Sequence, residues 1–217
     1  MQRLLSELSL RRTNRTKCFK PRYDSPEQAT KELGYALQVE VESLGFKIVS
    51  DEALNRRLSE IGRWIADEGE TGLLLYGNVG SGKTTIMDAI SNLFSCKGIQ
   101  YRGVNIGFKR LESVELYQMY KFKYQEFDEI KKCPLLAIDD FGIEPVYINV
   151  FGTDISPISE LLYHRYQNRL TTIITTNLAV EDIRKRYGDR IADRFNEMMH
   201  CVLFANQSYR QLNKKQQ

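Results

Sequence analysis

Eight residues, Gly77-Asn78-Val79-Gly80-Ser81-Gly82-Lys83-Thr84, constrain this 217-residue chain more than any other stretch. They fit the pattern G-x-x-x-x-G-K-[ST] at every fixed position. The flanks supply the context that the pattern needs. Leu73-Leu74-Leu75-Tyr76 is a short apolar run and reads as a buried strand. From Thr85 onward, Ile86, Met87, Ala89, Ile90, Leu93 and Phe94 fall on one broad face of a helix. A loop between strand and helix can cradle a polyphosphate. Its glycines let the backbone approach without Cβ clashes, and its N–H groups and the helix N-terminus present donors to the anion. In such a cradle Lys83 reaches the β- and γ-phosphates and the Thr84 hydroxyl ligates Mg²⁺. Gly77, Asn78, Val79, Gly80, Ser81, Gly82, Lys83, Thr84 and Thr85 are therefore the candidate nucleotide-binding residues.

The rest of the chain alternates between strand-length apolar runs and helical patterns. Strands are expected near residues 72–76, 100–106, 134–138, 171–176 and 201–205, the fourth β-branched almost throughout. Residues 107–132 read as helix rich in aromatic and basic side chains, and a loop with Gly142, Pro145 and Gly152 precedes a helix near 159–167. Two short helices flank Gly188. This alternation argues for a parallel sheet between helical layers. Upstream, Ser25-Pro26-Glu27-Gln28 is a capping signature, continued by Leu33, Leu37, Val41 and Leu44 and stopped by Gly45. Ser50 with Asp51 and Glu52 starts a second helix, whose stripe is Leu54, Leu58, Ile61 and Ile65. The expected division is a basic arm at 1–24, a helical segment at 25–70, the core at 71–206 and a polar basic tail at 207–217.

Charge is distributed unevenly. Residues 1–25 carry seven Lys/Arg against Glu7 and Asp24, a balance of +5, and Arg210, Lys214 and Lys215 add +3 in the tail. The whole chain is only +3, so the body between them is near −5. Basic ends on an acidic body suit nucleic acid or an acidic partner, and equally suit solvated termini. No apolar run approaches the ~20 residues of a membrane span, and the start lacks the apolar stretch of a secretory signal. No membrane partner is expected, and the cytoplasm is the expected location. The cysteines, Cys18, Cys96, Cys133 and Cys201, form no C-x-x-C pair, and Cys96 and Cys201 fall in apolar elements, as small core residues do. His164 and His200 have no partner at metal-ligand spacing.

Hydrolysis needs more than a cradle. Pro134-Leu135-Leu136-Ala137-Ile138-Asp139-Asp140 is an apolar strand that ends in two carboxylates. Asp139 is placed to hold Mg²⁺ through its water shell, and Asp140 to orient or deprotonate the attacking water. Many such enzymes carry Glu at the second position, so the shorter Asp argues for slow turnover, and Glu144 is a nearby alternative. Asn177 ends the fourth strand, where an amide can bond the attacking water or the γ-phosphate; Asn after Thr-Thr is also a common turn residue. Arg190 and Arg194 share one face of a short helix at i and i+4. An arginine supplied in trans neutralises charge at the γ-phosphate, whereas Asp189 and Asp193 offer the pair a purely structural use as salt bridges.

Taken together, the phosphate loop, the strand running to Asp139-Asp140-Phe141-Gly142 with Glu144, Tyr163-His164-Arg165-Tyr166, Thr175-Thr176-Asn177-Leu178 and Gly188-Asp189-Arg190 to Arg194 resemble, in this order, the DnaC/IstB group of AAA+ ATPases. The resemblance spans about residues 72–210. It implies an α/β P-loop core of AAA+ type without a C-terminal helical lid, ATP and Mg²⁺ as cofactors, and a helicase-loader or transposition-helper ATPase that oligomerises on DNA. It makes Asn177 the sensor residue, and Arg194 the arginine finger with Arg190 as second candidate, acting on a neighbour's nucleotide. Arg210 is its candidate stand-in for a second sensor. The implied partners are single-stranded DNA and a replicative helicase or a transposase.

Phe108, Lys109, Arg110, Tyr117, Tyr120, Lys121, Phe122, Lys123, Tyr124 and Phe127 interleave rings with cations, as a single-strand track does. Tyr117, Tyr120 and Tyr124 also fit one packed helix face. Two rivals share the P-loop. A small-molecule kinase needs an acceptor pocket and an arginine-bearing lid, and a nucleotide-gated adaptor needs no hydrolysis.

Overall fold

Strands that are apolar on both faces are stable only between two helical layers. In the computed structural model, which describes residues 19–48, 50–67, 69–206 and Tyr209, five strands form one wholly parallel sheet. They are β1 (Gly72–Gly77), β4 (Lys109–Glu112), β5 (Leu135–Phe141), β8 (Thr171–Thr176) and β9 (Met199–Phe204), in the order β4-β5-β8-β1-β9. Alternate side chains serve opposite layers. Leu73 and Leu75 pack with α1 (Pro26–Ser43), α2 (Glu52–Ala66) and α3 (Lys83–Cys96). Leu74 packs with α4 (Ser113–Phe122), α5 (Tyr124–Lys132), α6 (Pro157–Gln167), α7 (Val180–Tyr187) and α8 (Asp189–Met198). β8 is buried throughout, and the hydroxyl groups of its four threonines are all engaged: Thr171 with Phe19 N–H, Thr172 with Arg165, Thr175 with Asp139, and Thr176 with the Phe141 carbonyl.

Several expectations change in detail. Residues 100–106 do not enter the main sheet. A turn at Arg102 (φ 52°) and Gly103 (φ 78°) folds β2 (Gln100–Tyr101) back on β3 (Val104–Asn105). The sheet's edge is instead β4, inside the stretch expected to be helix. That stretch continues as two helices rather than one, because Lys123 leaves helical geometry (φ −145°, ψ 54°). The loop after β5 holds a second hairpin, β6 (Ile148–Val150) with β7 (Thr153–Ile155). Ser25 caps α1 through Gln28 N–H, but Gln28 turns to Glu32, so only half of a capping box forms. Asp51, not Ser50, caps α2.

Cys96 and Cys201 are exposed rather than core: Cys96 ends α3, and Cys201 sits on an exposed position of the edge strand β9. The arm is covered only from Phe19 onward. There Lys20 is not a free cation: its ammonium donates to the carbonyls of Trp64 (2.6 Å), Asp67 (2.8 Å) and Glu70 (2.6 Å), closing the C-terminal end of α2. The basic residues before Phe19, and Arg210, lie outside the described residues. Among the described residues no helical bundle follows β9, and no helix is long and apolar enough to cross a membrane.

Candidate active site

Because all five strands run the same way, the C-terminal ends of β1, β5 and β8 meet at one edge of the sheet, where parallel α/β sheets bind ligands. Gly77, Asp139–Asp140 and Asn177 arrive there together. Gly77 is required by its neighbour as well as by its loop: at φ 126°, a Cβ there would lie 2.4 Å from the Phe204 carbonyl oxygen on β9. Asn78 N–H donates to the same carbonyl at 2.9 Å, Ser81 Oγ to the Asn78 carbonyl at 2.6 Å, Asn206 to the Ser81 carbonyl at 3.3 Å and Tyr209 N–H to the Gly80 carbonyl at 3.0 Å. The loop's carbonyls are thus engaged, that of Asn78 within the loop and those of Gly80 and Ser81 by residues after β9, which suits an anion cradle.

Lys83 opens α3 and is 6% exposed. Its ammonium donates to the Gly77 carbonyl (2.9 Å), the Asn78 carbonyl (2.7 Å) and Asn177 Oδ1 (2.8 Å). Burial pulls its pKa down, opposed by Asp140 and Asp139. Thr84 Oγ1 donates to Asp139 Oδ1 at 3.1 Å, and Arg110 Nη2 to Asp139 Oδ2 at 2.8 Å. Burial pushes the Asp139 carboxyl up, but hydrogen bonds from Thr175, Arg110 and Thr84 outweigh it and hold the pKa low, so the group is a carboxylate.

Asp140 sits in a bulge where the β5–β8 register shifts, with left-handed backbone at φ 49°. Thr175 Oγ1 accepts from its N–H at 3.0 Å, and its carbonyl accepts from Ser113 Oγ at 2.7 Å. Both holders come from neighbouring elements, which is how a strained residue is kept in place.

A cavity of about 810 Å³ joins these groups. The phosphate loop, Asp140 and Asn177 line one part, and Leu37, Val41, Leu44, Phe46 and Ile48 from α1 and its exit line another, with Phe204 and Tyr209. This size and polarity suit a mononucleotide: an apolar part for a base and a glycine-rich cradle for phosphates. Thr84 Oγ1 and Asp139 are hard oxygen donors of the kind Mg²⁺ takes alongside phosphate and water.

The apolar half was not visible in the sequence. The stripe of α1 was, but not the fact that its last turn faces the cradle. Arg57, 6% exposed and stacked on Phe204 at 4.9 Å, also lines the cavity and carries no motif. Gly77, Asn78 and Asp139 adjoin the lining through Lys83 and Thr84, whereas three expected residues are not brought to the site. Glu144 is fully enclosed with both carboxylate oxygens engaged, by Gly142 N–H and Tyr187 OH, and does not face the cavity. Arg190 and Arg194 lie over the Tyr163 ring at 4.8 and 4.7 Å, and Arg194 also over Tyr166 at 5.3 Å. Asp189 and Asp193 do not pair with them; both pair with Arg184.

The family model described as IstB-like ATP binding protein matches residues 27–217. Among curated proteins, no sequence is similar enough to count as a relative. Solved structures share the fold. A DnaC helicase loader superposes with a TM-score of 0.57 at 21% identity, over 72% of this chain and 93% of that one. DnaI gives 0.58 at 21%, over 79% and 94%. AMPPCP-bound DnaA from Aquifex aeolicus gives 0.52 at 20%, over 78% and 52%. The architecture is that of a P-loop ATPase of AAA+ type.

Proposed function

Because the chain belongs to the family of IstB-like ATP binding proteins, we propose that it is a Mg²⁺-dependent ATPase that assembles head to tail on DNA and helps to load a replicative helicase. The observation that carries the ATPase reading is the cluster at the strand ends: Lys83 bonded to Asn177, Thr84 bonded to Asp139, and Asp140 lining the same cavity.

In this reading Lys83 exchanges its loop carbonyls for the β- and γ-phosphate oxygens, and the loop amides take the rest. Thr84 and Asp139 hold Mg²⁺, which supplies charge neutralisation along the phosphates. Asp140 accepts the proton of the attacking water, and Asn177 orients that water while keeping Lys83 in line. Arg110, paired with both Asp139 and Asp88, holds the metal carboxylate in its charged form. Arg194, with Arg190 beside it, lines no part of its own chain's cavity, which supports a role on a neighbour's nucleotide.

Lys83→Ala should abolish ATP binding in a titration with a fluorescent ATP analogue, and phosphate release with it; unchanged affinity would sink the site assignment. Phosphate release that needs a small acceptor, and not DNA, would favour a kinase. ATP binding with no release, even with DNA present, would favour a gated adaptor.

The DnaC loader's fold supports the loader reading, and the family description supports a second, a transposition helper of IstB type. A pull-down separates them: recovery of a replicative helicase supports the first, of a transposase the second. Both readings place the work in the cytoplasm.

A further inference from the structure

Glu144 is 0% exposed, yet it carries a carboxyl group and stands just past Asp140. A buried carboxylate is costly unless its oxygens are satisfied, and here the partners come from two different elements. Oε2 accepts from Gly142 N–H at 2.9 Å, in the turn that leaves β5. Oε1 accepts from Tyr187 OH, at the last residue of α7, and the Glu144 carbonyl accepts from Arg186 Nη2. The Tyr187 hydroxyl is pushed well above the usual phenol range by burial and by the Glu144 charge, so it stays a donor. Rings run alongside this link: Phe141, next to Asp140, stacks on Tyr187 at 4.8 Å and on Phe195 of α8 at 5.7 Å. Between Tyr187 and α8 stands Gly188 at φ 85°, with nothing near its missing Cβ. α8 then carries Arg190 and Arg194.

The turn with the water-side carboxylate and the helix with the two arginines are therefore joined by one buried strut and one aromatic stack. We propose that Glu144 is a positioning residue that locks the Asp140 turn to α7–α8 through Tyr187, so that the arginine a subunit offers its neighbour is set by the state of its own nucleotide site. The inference rests on the trans-arginine reading above.

Mixed full-length chains test it. An Asp140→Asn chain fills its site without hydrolysing and can lend an arginine. An Arg190→Ala/Arg194→Ala chain has a site but lends none. Mixing the two should restore phosphate release. Tyr187→Phe removes the bond to Glu144 but leaves the Gly142 contact. Placed on the arginine-lending chain, it should lower the restored rate on the order of tenfold. Placed on the arginine-less chain, it should change that rate by less than about twofold and leave ATP-analogue affinity unaltered. Equal losses from either chain, or no loss at all, would overturn the proposal. A mixture that stays inactive without Tyr187→Phe would overturn the trans-arginine reading first, and the proposal with it. Melting temperatures check folding, and if Tyr187→Phe does not fold on the lending chain, Glu144→Gln makes the same comparison.

Discussion

The proposed chemistry turns on one strained residue, Asp140. Left-handed backbone at a non-glycine costs about 1–3 kcal/mol, and the φ of 49° is kept by Thr175 on one side and Ser113 on the other. The cost is offset by position, since the bulge brings Asp140 to the cavity while Asp139 stays with Thr84. Asparagine tolerates the same backbone region, so Asp140→Asn removes the base without forcing the turn to rebuild. Its nucleotide affinity should stay within about twofold of the parent, whereas single-turnover phosphate release should fall by about 10²–10⁴, the usual contribution of a general base. Release at the parent rate would assign the water to another group. That Lys83, Thr84, Asp139 and Asp140 gather at one place was legible from spacing, because a loop and a strand that meet phosphate and metal admit few residue types. The strain, and the hydroxyls of Thr175 and Ser113 that hold it, were not: a threonine in a β-branched run reads only as strand.

At the scale of elements, the stretch expected to be one aromatic, basic helix has three fates. Phe108 turns inward against Phe94 at 5.1 Å, and Arg110 is spent on Asp139 and Asp88. Tyr120 packs edge to face on Tyr124 and on the fully buried Phe127. What remains outward is Lys109 on β4 and the break itself, where Lys121, Phe122, Lys123 and Tyr124 are exposed, Phe122 at 72% and Tyr124 at 51%. The proposed DNA contact on this side therefore centres on the break between α4 and α5. Phe122→Ala should weaken single-stranded DNA binding by about 1–3 kcal/mol, the worth of one stacked base. Replacing Lys121 and Lys123 by Ala should flatten the salt dependence. Fluorescence anisotropy across a salt series measures both, and an unchanged affinity for Phe122→Ala would remove the contact from α4.

Helix periodicity placed Tyr117 and Tyr120 on one half-buried face, but Tyr124 falls beyond the break and is exposed. It missed the break because Lys123 is neither Gly nor Pro. It missed β4 as well, since Lys109-Arg110-Leu111-Glu112 has no apolar alternation and is a strand only because the outer edge of β5 accepts it. Residues 100–106 carried the better strand pattern and lost it to the Arg102–Gly103 turn.

For the whole molecule, the proposed trans arginine turns on how a second copy sits against the first. One chain brings the phosphate loop, Thr84, Asp139, Asp140 and Asn177 to one sheet edge, while its arginines rest on the Tyr163–Tyr166 shelf of α6 and line no part of that cavity. Parallel topology was legible from the alternation of apolar runs and helices, and it explains why the first set converges. No pattern within one chain specifies how a second copy sits against the first. If Arg194 completes a neighbour's site, hydrolysis per chain must depend on association. Specific activity should then rise with protein concentration and plateau once sedimentation shows assembly complete. Nucleotide affinity, a property of one chain's cradle, should not follow the same curve. Arg194→Ala should hold the activity at its dilute value at every concentration while still binding the ATP analogue. The loss at the plateau should be about 10³-fold if the arginine acts as a finger on the γ-phosphate. A specific activity that is flat with concentration in the parent protein would mean that each chain hydrolyses alone, and the arginines over Tyr163 would then be structural.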